Sequence, residues 1–221
     1  MIKKVIKFRF LEVMMRKTIK FPTRIEFLDK QIGGVYPGIT VLYEMAGAGG
    51  REFAVTFLLN NCKELLNELN YVAITKTNEE VDREIRLMFP EANTEKLLEK
   101  INIYSLAETY FKDTIVPMKW ISKRKLGIES LKEEKNILSE LVETIEKCSD
   151  GSIILLDSLT DLSRLLRFNI LWEDIVDVMS GFKKVCVKRD ILLIVLLTAG
   201  VLDKSKEEEI FDQVDAVFIF E

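Results

Sequence analysis

Short apolar runs alternate along the chain with longer segments in which apolar residues recur at helical spacing. The runs are rich in β-branched and aromatic residues, which is typical of strands buried on both faces of a sheet. The segments between them indicate helices with one buried face. This alternation predicts an α/β fold, a mostly parallel twisted sheet with helices on both faces. The predicted strands span residues 39–44, 71–75, 101–106, 152–157, 191–198 and 216–220.

Helical periodicity and breaker residues set the rest of the organisation. Asn78 is placed to cap the second predicted helix, and Pro90 to end it. No low-complexity linker or short repeat interrupts residues 21–221, so we expect a single domain after a basic N-terminal extension, residues 1–20. The predicted helices span residues 52–67, 78–89, 129–148 and 171–189.

Composition narrows the class of protein. Of the 221 residues 48% are hydrophobic and 31% charged, which is typical of a globular chain and not of a disordered one. The longest strongly apolar stretch, residues 191–202, is shorter than the roughly 20 residues of a membrane helix. A net charge of −4 gives no global electrostatic attraction to nucleic acid or to an anionic membrane. We therefore expect a cytoplasmic protein, and its many Lys and Glu residues favour a thermophilic source.

Two residue types exclude particular chemistries. The chain has no histidine, which excludes Ser-His and Cys-His catalysis and zinc bound through histidine. The cysteines Cys62, Cys148 and Cys186 are widely spaced and lie in apolar contexts. We expect them to be reduced core residues, and we expect no disulfide framework and no metal site.

The ends of the predicted strands are the places to look for chemistry. In a parallel sheet, ligands bind at the carboxyl ends of the strands. The residues at these ends are Glu44, Thr75 and Lys76, Leu106, Asp157 and Ser158, and Thr198.

Three segments resemble the KaiC-like branch of the RecA superfamily of ATPases. "TRIEFLDKQIGGVYPGITVLYE" (23–44) is similar to the entry segment, in which a Leu-Asp pair and a double glycine precede the strand of the phosphate-binding loop. "IILLDSLTDL" (153–162) is similar to the Walker B strand, and "LLIVLLTAG" (192–200) with "FDQVDAVFIFE" (211–221) to the last core strands. Their order across residues 20–221 makes the resemblance more specific than each segment alone. It implies a RecA-like P-loop NTPase core.

The phosphate-binding loop itself departs from that family. The family pattern is a glycine, four residues, then Gly-Lys-Thr/Ser, in which the lysine reaches the phosphates and the hydroxyl binds Mg²⁺. In "EMAGAGGREF" one register places Glu44 at the first glycine, Gly50 at the lysine and Arg51 at the hydroxyl. The other register places Arg51 at the lysine but Met45 and Glu52 at the first glycine and the hydroxyl. Neither register restores the site.

Two further features of active relatives have no counterpart. Where the resemblance places the glutamates that activate the attacking water, this chain has Thr75 and Lys76. Glu79 and Glu80 follow, but they fall in the first turn of the next helix, where they complement the helix dipole. Active relatives continue into a hairpin that carries a basic residue to the neighbouring subunit, whereas this sequence stops at Glu221.

What remains of the site is a glycine-rich turn and one acidic residue. Gly47, Gly49 and Gly50 could present backbone N–H groups to an anion, or they could serve only a tight strand-to-helix turn. We favour the turn, because Glu44 and Glu52 flank it and repel phosphate. Asp157, which the resemblance assigns to magnesium, then needs another cation. We expect Arg51 to supply it, with Lys76 as the second candidate, and this degenerate cluster (Gly47, Gly49, Gly50, Arg51, Asp157) is the predicted cofactor-binding remnant.

A basic and aromatic stretch, residues 110–127, follows the third predicted strand. It interleaves Phe111 and Trp120 with five cations, which would suit a nucleic acid or an acidic partner. The alternative that we favour is a loop whose Trp120 packs against the core.

The resemblance and its departures together predict a pseudo-ATPase. We expect no catalytic residues and no cofactor, and a regulatory or scaffolding role, as in signal transduction, through protein partners or self-association. One alternative is a switch that binds ATP or ADP weakly without hydrolysing it, with Arg51 as a phosphate cation. Another is a nucleic-acid-associated RecA-like protein, and we expect no membrane partner.

Overall fold

Six strands form one parallel sheet in the computed structural model, which describes residues 20–62, 68–90, 94–112, 114–122, 136–167 and 170–221. The strands are β1 (Gly38–Glu44), β2 (Leu69–Ala73), β3 (Ile101–Ser105), β4 (Ile153–Asp157), β5 (Leu192–Thr198) and β6 (Ala216–Phe220). Their order in space is β3-β2-β4-β5-β1-β6, and every neighbouring pair is parallel. The predicted α/β class and parallel sheet are confirmed, and all six predicted strands are present with bounds shifted by at most a few residues.

Helices connect these strands. They are α1 (Glu26–Ile32), α2 (Gly50–Cys62), α3 (Asn78–Met88), α4 (Thr94–Leu98), α5 (Ala107–Phe111), α6 (Met118–Ile121), α7 (Ile137–Lys147), α8 (Leu159–Ser163), α9 (Trp172–Lys188) and α10 (Lys204–Gln213), with a 3₁₀ turn at Arg164–Arg167. The helices α3, α7 and α9 lie within predicted ranges, and α2 begins at Gly50, two residues before the predicted start at residue 52. Parts of two predictions, residues 63–67 and 129–135, lie outside the described residues. The helices α1 and α10 were not predicted, because their short polar sequences lack a clear apolar stripe.

Both faces of the sheet are buried, as the continuous apolar strands predict. Alternate residues of β5 enter different cores, with Leu193 and Val195 in one and Ile194 and Leu196 in the other. The first core includes residues of α7, α9 and α10, whereas the second includes residues of α2 and α3. Each fully buried leucine or isoleucine side chain contributes about 2 kcal/mol of transfer free energy. The sheet is therefore held from both sides, and its carboxyl edge is a rigid platform.

The cysteines lie inside these two cores. Cys62, Cys148 and Cys186 are buried thiols that form no disulfide, as predicted. Burial raises the pKa of Cys62 and Cys148 to about 11 and that of Cys186 to about 12. All three are therefore neutral thiols at physiological pH and are poor nucleophiles.

Two local predictions are wrong. The N-cap of α3 is Thr77 and not Asn78: Thr77 Oγ1 accepts the Glu80 N–H, and the Glu80 carboxylate accepts the Thr77 N–H. In this reciprocal capping box Glu80 forms a specific hydrogen bond, which is more than the predicted interaction with the helix dipole. The stretch after β3 is not a plain loop, because it contains α5 and α6. Its Trp120 is 72% exposed and does not pack against the core, and residues 123–127 of the stretch lie outside the described part of the chain.

None of the helices in the described part of the chain is long and apolar enough to cross a membrane.

The Thr77 cap yields a direct test. We expect Thr77→Ala to lower the free energy of unfolding by about 1 kcal/mol, because it leaves the Glu80 N–H unpaired at the start of α3. Asn78→Ala is the matched control and should change stability by less than about 0.5 kcal/mol. Urea unfolding followed by circular dichroism measures both. A larger loss of stability for Asn78→Ala than for Thr77→Ala would mean that Asn78 is the N-cap.

Candidate functional site

The sheet brings the predicted strand-end residues together at one edge. Asp157 ends β4 beside Ala73 of β2, so Lys76, three residues further on, comes within reach of it. Glu44 ends β1 beside Thr198 of β5. Because β4 and β1 flank β5, the acidic ends lie on both sides of one central strand. This edge is where ligands bind in parallel sheets.

Asp157 is the buried centre of this site. Its side chain has no solvent exposure and receives two cations: Arg51 Nη2 lies 2.8 Å from Oδ1, and Lys76 Nζ lies 3.0 Å from Oδ2. Tyr71 donates its hydroxyl to Oδ2 at 2.6 Å. Lys76 also pairs with Glu84 of α3 at 2.5 Å. The predicted pairing of Asp157 with Arg51 is confirmed by these contacts, and Lys76, the second candidate, binds the same carboxylate.

These contacts set the protonation states. Burial by itself raises the pKa of the Asp157 carboxyl, but Arg51 and Lys76, with the Tyr71 hydrogen bond, hold it below its ordinary value. Burial and the adjacent Asp157 charge raise the pKa of Tyr71 well above its usual range. Tyr71 therefore stays protonated, and its hydroxyl donates a hydrogen bond to a carboxylate that stays ionised. Oδ1 and Oδ2 are both engaged by donors of the protein itself.

The glycine-rich turn is closed by a side chain of the chain itself. Glu44 Oε2 accepts the N–H groups of Gly50 at 2.7 Å and Arg51 at 3.2 Å. These are the first two amides of α2, where the helix dipole favours a negative charge. The Glu44 carboxylate thus occupies the position at which an anion would meet these amides.

Glycine is required in this turn for two separate reasons. Gly47 and Gly49 have positive φ angles of 81° and 89°, which other residues adopt only with strain. Gly50 has helical geometry, but a Cβ there would lie 2.7 Å from Glu44 Oε2. A side chain at position 50 and the carboxylate of Glu44 therefore exclude each other in this conformation.

Sequence reasoning missed two members of the site. Glu44 is predicted as a strand-end residue and as a charge that opposes phosphate, but its bond to the α2 amides is not predicted, although its place at the end of β1, six residues before Gly50, puts it within reach of them. Tyr71 lies inside a strand pattern that predicts a core side chain, and its sequence gives no signal for a contact with Asp157. The pairing of β2 with β4 supplies that contact.

The hydroxyl residues at neighbouring strand ends have structural roles. Ser158 caps α8, since its Oγ accepts the Asp161 N–H and donates to Asp161 Oδ2. The backbone N–H of Thr198 donates to Thr160 Oγ1 at 2.8 Å. Thr75 Oγ1 donates to Asp161 Oδ2 at 3.3 Å. These bonds fix the loops after β2, β4 and β5.

Within the described residues, no group of three or more Cys, Asp or Glu side chains is arranged to hold a metal ion.

The fold matches solved structures. No protein-family model and no curated protein matches the sequence. The flagellar accessory protein FlaH from Methanocaldococcus jannaschii aligns over 91% of this chain and 80% of its own, with a TM-score of 0.60 and 16% identity. A KaiC-like protein from Pyrococcus horikoshii OT3 aligns over 87% of this chain and 77% of its own, with a TM-score of 0.55 and 15% identity.

These likenesses establish the fold class. The chain shares the fold of FlaH and of this KaiC-like protein, which is the α/β fold that the resemblance predicts. Identities this low carry the architecture and leave the activity to the residues of the site.

Arg51 and Asp157 yield a second test. We expect Arg51→Met to lower the free energy of unfolding by about 2–4 kcal/mol near neutral pH, because it leaves a buried carboxylate short of one cation. The lowered pKa of Asp157 stabilises the wild type above the unfolded pKa of about 4, and that stability is lost as pH falls through the folded value. The deficit of the variant should therefore shrink towards about pH 4, as its Asp157 takes up a proton.

Arg86→Met is the control for this test. Arg86 forms ion pairs with Asp82 and Glu95 at the surface, where solvent screens them, so its loss should destabilise the fold much less than the loss of Arg51. Urea unfolding at both pH values measures the two variants. Equal losses for Arg51 and Arg86, or a deficit at Arg51 that is independent of pH, would contradict the assigned role of the buried pair.

Proposed function

We propose that this protein is a RecA/KaiC-like pseudo-ATPase that acts as a regulatory or scaffolding protein through protein partners. The observation that carries the proposal is that side chains of the protein itself already bind the glycine-rich turn and the carboxylate of Asp157. Glu44 binds the α2 amides, and Asp157 binds Arg51 and Lys76. A magnesium nucleotide would have to displace both sets of contacts before it could bind.

The glycine-rich turn supports this proposal, because the side chain at position 44 restricts which residue fits at position 50. In the register that places Glu44 at the first glycine of the family pattern, Gly50 stands at the lysine. The contact geometry gives a reason for both replacements, because a side chain at position 50 would collide with Glu44 Oε2. Glutamate and glycine at these positions suit a self-closed turn and not a phosphate-binding one.

The strand-end acid supports the proposal through charge. A metal ion at Asp157 would face Arg51 and Lys76 within about 3 Å of the same carboxylate. Two unit positive charges already neutralise this carboxylate, so a divalent cation would meet repulsion with little free negative charge to offset it. Thr75 and Lys76 at the β2 end also offer no carboxylate to activate water.

Exposed apolar side chains support a role in protein contacts. Leu87 of α3 is 69% exposed, Trp120 of α6 is 72% exposed, and Ile115 between α5 and α6 is fully exposed. Large apolar side chains in solvent are frequent at protein interfaces.

The nucleotide test uses calorimetric titration with Mg-ATP and Mg-ADP, together with a phosphate-release assay. We expect neither heat nor phosphate release from the wild type. Glu44→Ala frees two amides and removes one negative charge, so it should bind ATP at least about fivefold more tightly than the limit set for the wild type.

Glu52→Ala is the matched control, because it removes the same charge from the first turn of α2 without freeing the amides bound by Glu44. Any gain in ATP binding by Glu52→Ala should be smaller than the gain by Glu44→Ala, because the α2 amides stay occupied. Turnover by the wild type that Asp157→Ala abolishes would overturn the pseudo-ATPase proposal. Micromolar binding without turnover would favour the nucleotide-switch alternative instead.

The exposure of Trp120 favours nucleic-acid association as the second candidate function. Lys112 and Lys119 are exposed on the same segment, so an indole and two cations are accessible for stacking and phosphate contact.

A mobility shift with single-stranded DNA at low and high salt tests this candidate function. Under this candidate, Trp120→Ala should weaken a salt-sensitive shift by about tenfold. Leu171→Ala, an exposed apolar residue followed by Glu173 and Asp174, is the control, and the absence of any shift would exclude the candidate.

A further inference from the structure

A solvent-open cavity lies beside the Asp157 cluster, at the carboxyl end of β2. Its volume is about 620 Å³, which falls in the range of sites for small organic ligands. Residues from α3, α5 and the 3₁₀ turn form its walls, and Lys76 and Thr75 form part of its lining. Its lining includes Lys76 but no residue of the closed glycine-rich turn.

Two arginines bring unused donors to this cavity. Arg83 of α3 is exposed and forms no ion pair with a described residue. Arg164 donates one Nη1 bond to Asp161 at 3.0 Å, while its side chain stays 53% exposed. A guanidinium carries five N–H donors in a planar fork that matches carboxylate and phosphate oxygens.

The acidic residues of the cavity are already engaged. Glu84 pairs with Lys76 at 2.5 Å. Glu80 accepts the Thr77 N–H at 2.8 Å in the capping box and lies at the positive end of α3. Neither acid forms an ion pair with Arg83 or Arg164 in the structure. The two guanidinium groups therefore keep N–H donors for an anion that the acids of the lining do not occupy.

The remaining wall is apolar and aromatic. Leu87 lies one helical turn after Arg83 on α3 and is largely exposed. Tyr110 and Phe111 of α5 contact each other edge to face, with ring centroids 4.9 Å apart. A ligand body of aromatic or branched aliphatic character would cover these side chains, which water now reaches.

We propose that this cavity is a binding site for a small organic acid, one that places a carboxylate or phosphate group between Arg83 and Arg164 and an aromatic or branched apolar group on Leu87, Tyr110 and Phe111. The site lies outside the closed loop, so it does not depend on the proposed loss of ATPase activity. A ligand here would contact Lys76 and α3, and so would act directly on the ion-pair cluster around Asp157.

The test uses phenyl phosphate as the probe and ligand-observed NMR as the measurement. We expect phenyl phosphate to bind the full chain in the millimolar range, and inorganic phosphate to bind at least about fivefold more weakly because it leaves the apolar wall uncovered. Arg83→Gln should weaken phenyl phosphate binding by about fivefold, and Leu87→Ser by a similar factor. The chemical shifts of backbone amides in α3 and α5 should move in the wild type.

Arg86→Gln is the matched control, since Arg86 lies on the same helix but pairs with Asp82 and Glu95 and does not line the cavity. It should leave binding unchanged, and circular dichroism checks that each variant is folded. Two results would overturn the proposal. One is no binding of phenyl phosphate to the wild type. The other is equal binding by the Arg83→Gln and Arg86→Gln variants, which would mean general attraction to surface cations.

Discussion

A carboxylate without solvent exposure organises the functional edge of this protein. Asp157 ends the central strand β4, and its ionised form persists only because Arg51, Lys76 and Tyr71 surround it. These partners come from three places: the first turn of α2, the loop after β2 and the body of β2. The carboxylate thereby ties the glycine-rich turn to the neighbouring strand. Removal of one partner leaves a charge that the interior cannot solvate.

In the turn before α2, too, groups that need a partner find it within the chain. Here the groups that need a partner are backbone amides at a helix start, and Glu44 supplies the negative charge. The charged groups at these strand ends therefore have partners within the chain: Glu44 binds the α2 amides, and Arg51 and Lys76 bind Asp157.

The cavity beside the Asp157 cluster brings further polar and apolar groups to the surface of the protein. The cavity between α3 and α5 combines guanidinium groups that keep unused N–H donors with exposed apolar side chains, a combination that a closed hydrophobic core does not provide. Its wall includes Lys76, so the cavity and the buried cluster share one residue. Events at this surface have a direct physical route to Asp157 through the Lys76 ammonium and its pair with Glu84.

Much of the site could be predicted because strand ends converge in a parallel sheet. Once the apolar runs were assigned to strands, Asp157, Lys76 and Arg51 had to lie near one edge, and the cost of an unpaired buried carboxylate predicted their contact. The role of Glu44 could not be predicted in the same way. Charge alone indicates repulsion of phosphate, whereas the bond to the α2 amides depends on how the turn folds back. Tyr71 and Trp120 illustrate the same limit, since one aromatic side chain reaches a carboxylate and the other stays in solvent.

The sequence by itself determined the order of strands and helices, the burial of both sheet faces and the absence of histidine chemistry. These properties follow from periodicity and residue type, which act locally along the chain. Only the tertiary structure decided which side chains satisfy the buried charges and which amides the Glu44 carboxylate binds. Those choices depend on distances between residues far apart in sequence, such as the 106 positions that separate Arg51 from Asp157. Angstrom-scale geometry of this kind is set by the packing of the whole sheet, so no local pattern encodes it.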